Sequence, residues 1–108
     1  MILAMIYYSI DFTKEAKRDL DNIDNYISNR LFAPLSAERI IKNISKSIAK
    51  LSHMPFRRPI VHDERLADKG IRMLHVKSYI VVFIINENAK IINILRILHN
   101  RQDWHNIL

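Results

Sequence analysis

The segment from Ala37 to Leu51 carries the clearest amphipathic helical pattern in this chain. Its apolar residues recur at spacings that place them on one face of a helix, and they are Ala37, Ile40, Ile41, Ile44, Ile48 and Leu51. Pro34 and Ser36 supply a start signal, and the helix must end before Pro55, because the residue ahead of a proline is disfavoured in the helical region. A helix with one apolar face requires a second layer of structure to cover that face.

A shorter helix is predicted just ahead of it. Thr13 is suited to cap its start, and the helix is expected to reach about Asn29. The acids Asp19, Asp21 and Asp24 are expected on its solvated side. Helical spacing is carried by Ala16, Leu20, Ile23 and Ile27. The short connection between the two segments favours an antiparallel helical hairpin.

The rest of the chain predicts strands. Alternating apolar residues over Met5–Phe12 indicate a half-buried strand before the first helix. Residues 54–69 are interpreted as a loop, with a short extended piece near Ile60. Three segments rich in Ile and Val then follow, over Ile71–Val76, Tyr79–Asn86 and Lys90–His99, and short polar breaks between them suit an antiparallel meander. A last helical turn over residues 103–108 is expected to pack Trp104 and Leu108 on the body.

This order predicts an α+β fold, β-α-α-β-β-β, with a helical hairpin packed on one face of a small antiparallel sheet. A length of 108 residues leaves room for one domain, residues 1–108. Met1–Ala4 precede the first strand-like segment and are interpreted as a dispensable extension or an upstream start. The opening segment lacks the basic region of a signal peptide, and the apolar run Ile80–Ile85 is too short to span a membrane, so a soluble, cytoplasmic protein is expected.

Composition narrows the chemistry. Since the chain has no cysteine, disulfide scaffolds, thiolate zinc sites and cysteine nucleophiles are excluded. Motifs for phosphate loops, dinucleotide binding, serine hydrolysis and zinc proteases do not occur. No two of the five histidines have the one-turn spacing of a helical metal site, so neither a metal nor another cofactor is predicted.

Charge is distributed unevenly along the chain. Of the net charge of +6, residues 1–29 contribute −2, from three bases and five acids, and residues 30–108 contribute +8, from fourteen bases and six acids. The positive part is suited to phosphates or to an acidic protein partner.

Two arginines interrupt apolar strand segments. A guanidinium among such residues must reach water, a carboxylate or a phosphate, because burying it unpaired is costly. Arg72 and Arg96 therefore form structural ion pairs, or they open onto the uncovered sheet face with Tyr79, His75 or His99 and grip an anionic ligand. For an RNA ligand, His99 or His75 would be acid or base, Tyr79 a weaker partner and the arginines a clamp on the phosphorane.

The chain resembles the RelE/ParE toxin superfamily, and more closely its ParE-like plasmid-stabilisation branch. The resemblance runs from Met5 and is carried by FTKEAKRDLDNIDNYI (Phe12–Ile27), SAERIIKNISKSIAKLSHMP (Ser36–Pro55), GIRMLHVKSYIVVF (Gly70–Phe83) and ILRILHNRQDW (Ile94–Trp104). It implies the toxin of a bacterial type II toxin–antitoxin system, which arrests growth and is neutralised by a cognate antitoxin in a hetero-oligomer.

The resemblance also implies one of two targets. ParE-like members block DNA gyrase and need no hydrolytic site, whereas RelE-like members cut mRNA on the ribosome without a metal. Arg72, Arg96 and His99 match positions that carry polar or catalytic groups in the ribosome-dependent relatives, with His75 a secondary match. Ile80 stands where some of those nucleases place an arginine, and the lysine-rich catalytic patch of RelE is not evident. A non-toxic member that only binds an antitoxin is the further alternative.

Overall fold

The computed structural model describes residues 7–53, 55 and 68–108, without the side chains of Trp104 and His105. The elements are β1 (Ser9–Phe12), α1 (Lys14–Asn25) continued by a π-helical turn (Tyr26–Arg30), α2 (Pro34–Ala49) continued by a 3-10 turn (Lys50–Ser52), β2 (Arg72–Val76), β3 (Tyr79–Asn86), β4 (Ile91–His99) and α3 (Trp104–Ile107). The predicted order β-α-α-β-β-β is confirmed. Most of the predicted loop over residues 54–69, the extended piece near Ile60 and the first residues of the predicted opening strand lie outside the described residues.

The helical hairpin forms as its apolar spacing predicts. Thr13 caps α1, since its Oγ1 accepts a hydrogen bond from the Ala16 amide at 3.0 Å. The same hydroxyl donates to the Leu95 carbonyl at 2.8 Å and so joins the start of the helix to β4. No helix of the described part of the chain is long and apolar enough to cross a membrane.

The sheet is mixed rather than wholly antiparallel, with the strand order β1-β4-β3-β2. The predicted antiparallel meander of β2, β3 and β4 is confirmed. The expectation of an entirely antiparallel sheet is wrong for β1, which runs parallel to β4 from Ser9 opposite Ile91 to Phe12 opposite Ile94. The physical reason is that β1 pairs with β4, the last strand of the meander. The two hairpin turns before β4 set its direction, and that direction is the same as the direction of β1.

A β-bulge in β4 decides which side chains face the helices. Arg96 lies opposite Val82 and Ile94 opposite Phe83, so Leu95 is an extra residue in β4. The bulge shifts the alternation of the strand. As a result both Ile94 and Ile97 belong to the core under the helices.

The two faces of the sheet carry separate apolar clusters. The larger lies under the hairpin and includes Ile44 and Ile48 of α2 with Phe83 of β3. The smaller contains Ile71, Ile80, Val82 and Leu98, against which Met73, Ile84, Leu95 and Leu108 pack. The predicted packing of Leu108 on the body is confirmed, whereas the prediction for Trp104 concerns a side chain outside the described part of the structure. The face opposite the hairpin is therefore largely apolar over these residues.

Candidate functional site

An open groove lies between the helical hairpin and the end of β4. Its volume is about 980 Å³, which is sufficient for a large side chain or a nucleotide. Three of the candidate residues, Tyr79, Arg96 and His99, line it together. The remaining lining comes from both helices, the turn between them and the segment after β4, and includes Asp19, Tyr26, Leu31, Ser36, Arg101 and Gln102.

Arg96 is held at one wall of this groove by Asp19 of α1. Its Nε donates to Asp19 Oδ2 at 2.8 Å and its Nη2 donates to Oδ1 at 2.9 Å, a bidentate pair. Asp19 Oδ2 also accepts the Ile97 amide at 2.9 Å. The hydrogen bond with Asp19 raises the pKa of Arg96. The structural ion pair that the sequence left open for Arg96 is therefore present, and Arg96 does not project from a bare sheet face.

Asp19 is the residue that the sequence analysis missed. It was expected on the solvated side of α1, but it is only 9% exposed. The available signal was its position at the border of the apolar stripe, three residues after Ala16 and four before Ile23. Beyond Ile94, β4 continues past the end of β1 and has no neighbouring strand on that side. The Asp19 carboxylate accepts the hydrogen bond of the Ile97 amide there, which no strand carbonyl can accept.

Tyr79 and His99 are cross-strand partners beside the ion pair. Their rings meet edge to face with centroids 5.4 Å apart. Burial, with a smaller contribution from Tyr26, raises the pKa of Tyr79, so its phenol stays protonated at neutral pH. His99 Nδ1 accepts the Arg101 amide at 3.1 Å, which leaves Nε2 as its other ring nitrogen for contact with a ligand.

Arg72 and His75 lie elsewhere. Arg72 is opposite Phe83 and shares its sheet face, which is the helix side, while His75 is opposite Ile80 on the other face and is exposed. β2 and β4 are separated by β3, a distance of about 10 Å between strand axes. Arg72 has contacts of its own. The expectation that Arg72 and Arg96 open together onto the uncovered face is therefore wrong.

The described part of the chain contains no group of three His, Cys, Asp or Glu side chains able to hold a metal ion. What the groove offers is a mixed apolar and polar recess. Of its two arginines, Arg96 is already in an ion pair and Arg101 is exposed, and the groove also carries His99 and the phenols of Tyr26 and Tyr79. Such a recess is suited to binding.

The architecture is similar to that of chains in two solved toxin–antitoxin structures. The chromosomal ParDE toxin–antitoxin system from P. aeruginosa contains a chain that is 23% identical, with a TM-score of 0.71 over 86% of this chain and 96% of that one. The toxin–antitoxin complex RelBE2 from Mycobacterium tuberculosis contains a chain that is 22% identical, with a TM-score of 0.67 over 89% of this chain and 94% of that one. These likenesses show the fold.

The family follows from the sequence itself. Residues 10–104 match the sequence model of the ParE toxin of the type II toxin–antitoxin system parDE. This chain therefore belongs to the ParE toxin family, within the RelE/ParE superfamily, as its resemblance predicted. No curated protein sequence matches it.

Proposed function

We propose that this ParE-family toxin arrests bacterial growth by binding and inhibiting DNA gyrase, and that a cognate antitoxin neutralises it in a toxin–antitoxin hetero-oligomer. The observation that carries the proposal is the bidentate pair between Arg96 and Asp19. Arg96 was predicted, together with Arg72, to clamp a phosphate, and its guanidinium instead pairs with the Asp19 carboxylate and so holds α1 on β4. The gyrase and the ribosome of bacteria are both cytoplasmic, so the proposal also assigns the toxin to the cytoplasm.

The groups beside Arg96 support a binding role for the same reason. RNA cleavage would need a base for the 2′-hydroxyl proton, an acid for the leaving oxygen and a free cation for the phosphorane. One ring nitrogen of His99 is engaged by the Arg101 amide, and the raised pKa of Tyr79 makes its phenol a poorer acid. Gyrase inhibition requires shape and contact area and no such groups.

The turn between the helices supplies a protein-binding surface next to the groove. Four of its large apolar side chains are exposed by half or more, namely Tyr26, Leu31, Phe32 and Leu35. Phe32 is 87% exposed and has φ of 52°, a conformation that bulky residues rarely adopt. An exposed apolar cluster of this kind is typical of a protein interface. We assign this apolar turn to contact with gyrase, and we expect the antitoxin to cover it in the neutralised complex.

A supercoiling assay with purified gyrase and the purified chain tests the proposal. We expect inhibition by the wild type and an inhibitory concentration raised about tenfold or more in Phe32→Ser/Leu35→Ser, the effect of losing central apolar anchors. The matched control is Ile107→Ser, which also removes an exposed apolar side chain but lies in α3, away from the turn. Gyrase that supercoils normally at high toxin concentration would remove this function.

A ribosome-dependent nuclease is the second candidate, favoured by one observation. Tyr79, His99 and Arg101 line the same groove, and Arg101 is exposed. On this alternative Tyr79, Arg96 and His99 keep the catalytic roles predicted from the sequence, whereas Arg72 and His75 do not line the groove and are given no role in it. This alternative is tested by incubating the toxin with programmed ribosomes and mapping the ends of the mRNA. New mRNA ends that disappear with His99→Ala would support cleavage, and intact mRNA would exclude it. The non-toxic alternative is excluded if induction of the chain arrests growth.

A further inference from the structure

The outer face of α2 carries a line of cations that the gyrase proposal does not use. Arg39, Lys42, Lys46 and Lys50 follow one another at spacings of three, four and four residues. With 3.6 residues per turn these positions fall within about 80° of arc, on a single ridge about 16 Å long. All four side chains are exposed. This basic ridge lies opposite the buried face of the same helix, which carries Ala37, Ile44 and Ile48.

The ridge is not neutralised by its surroundings. Among the residues that the structure describes, neither ion pair involves a member of the ridge, because the pairs are Lys90–Glu87 and Arg96–Asp19. Glu38 is the one acid within α2; it lies four residues before Lys42 and about 40° from it around the helix, at the edge of the ridge, but neither described ion pair joins the two. Four cations against this one acid leave the ridge with a net positive charge that is exposed to solvent.

We propose that the basic ridge of α2 binds the phosphodiester backbone of a nucleic acid duplex, without reading its sequence. The ridge spans the rise of about five phosphates along one strand. Such binding is independent of the target proposed above and would hold the toxin on DNA or on structured RNA while its apolar turn contacts a protein.

The composition of the ridge favours a nucleic acid over an acidic protein. Three of its four members are lysines, and lysine is depleted at protein interfaces but common at phosphates. Between Arg39 and Lys50 its neighbours on the outer face are small or polar, such as Asn43 and Ala49, so the ridge itself holds no large apolar anchor; Leu35, one turn before Arg39, belongs to the apolar turn assigned to gyrase. Specific protein partners usually require such an anchor, whereas backbone binding does not.

The test measures binding of the full chain to a fluorescent DNA duplex of 20 base pairs, to an RNA duplex of the same sequence and to polyglutamate of equal charge. Four phosphate contacts predict a slope of about −3.6 for log K against log salt on DNA. Lys42→Gln/Lys46→Gln should reduce this slope to about −1.8 and weaken binding about tenfold or more at 0.1 M salt. Arg39→Gln/Lys50→Gln should have a similar effect, so the result does not rest on the folding of one variant.

The matched control is Lys14→Gln/Lys17→Gln, which removes two exposed charges from α1 instead. We expect it to retain nearly the wild-type slope on the duplexes. Equal losses in the α1 and α2 variants would overturn the proposal, because they would show that only net charge matters. Absence of duplex binding at 0.05 M salt would also overturn it, as would polyglutamate bound as tightly as the duplexes. The stronger of the two duplex arms identifies whether DNA or RNA is the source of the backbone.

Discussion

Two charged pairs of this toxin have similar contact distances but differ in the sequence separation of their partners and in their exposure to solvent. Asp19 and Arg96 meet at 2.8 Å across 77 positions of sequence, and their side chains are 11% and 27% exposed. Glu87 and Lys90 meet at 2.6 Å within the β3–β4 turn, and their side chains are 55% and 40% exposed. The shorter contact is the local and solvated one.

Burial and the number of hydrogen-bond partners decide how much a charged pair contributes to the stability of the fold. Asp19 binds a guanidinium and the Ile97 amide of a strand at once, so its loss leaves two donors unsatisfied. Glu87 accepts from Lys90 and from the Tyr8 hydroxyl at 2.9 Å, and these groups can turn to water when it is lost. We therefore expect the packing of α1 on β4 to depend on the Asp19–Arg96 pair. The β3–β4 turn should depend little on the Glu87–Lys90 pair.

The largest effect is expected from Asp19→Ala. Removing one partner of a largely buried pair leaves Arg96 uncompensated beneath α1, which should lower the free energy of unfolding by about 3 kcal/mol. Urea unfolding followed by circular dichroism measures it. The control is Asp21→Ala, an exposed acid of the same helix, for which a change within about 0.5 kcal/mol is expected. Equal losses in the two variants would contradict the special role of Asp19.

A smaller loss of stability is expected from Thr13→Ala, at the start of α1 where the helix contacts β4. The variant loses the cap on the Ala16 amide and the hydrogen bond to the Leu95 carbonyl, at a cost of about 1 to 2 kcal/mol. Thr13→Ser keeps both hydrogen bonds and should retain most of the stability. The same unfolding assay applies, and a Thr13→Ser protein as unstable as Thr13→Ala would show that the methyl group matters rather than the hydroxyl.

The smallest effect is expected at the turn and should be visible mainly through pH. The hydrogen bond from Lys90, followed by that from Tyr8, lowers the pKa of Glu87 below its ordinary value of 4.5. A carboxyl group with a lowered folded pKa contributes stability above its unfolded pKa and loses it as pH falls through the folded value. Stability of Glu87→Gln should therefore change less than that of the wild type between pH 5 and pH 3. Unfolding curves at both ends of that window check this, and parallel changes in the two proteins would contradict it.

The sequence predicted the parts of the fold that depend on local periodicity. The apolar spacing in both helices, the Thr13 cap and the alternating strands from residue 71 onward each depend on neighbours a few positions away. The parallel pairing of β1 with β4 could not be predicted this way, because a four-residue alternation is the same beside either neighbour. The sequence equally gave no sign of the bulge at Leu95, which turns Ile97 and His99 to the helix side.

For the candidate site too, the sequence predicted what depends on residue type and did not predict contacts between distant residues. Tyr79, Arg96 and His99 were selected by residue type, and the structure brings these three into one groove. Arg72 was grouped with them because it also interrupts an apolar strand, but β3 lies between the two arginines. The partner of Arg96 could not be identified from spacing, since Asp19 is 77 positions away and resembles its exposed neighbours in the chain.

We propose that Arg96 supports the fold and that contact with gyrase, rather than Arg96, inhibits growth. The most direct test is the inhibition of gyrase supercoiling per folded molecule by Arg96→Met, at a temperature where circular dichroism shows both variant and wild type folded. Arg96→Lys, which keeps the charge but not the bidentate geometry, serves as a second variant. We expect Arg96→Met and Arg96→Lys to be less stable than the wild type and to inhibit gyrase supercoiling at concentrations within about twofold of it. A stable, folded Arg96→Met protein that no longer inhibits gyrase would contradict the proposal.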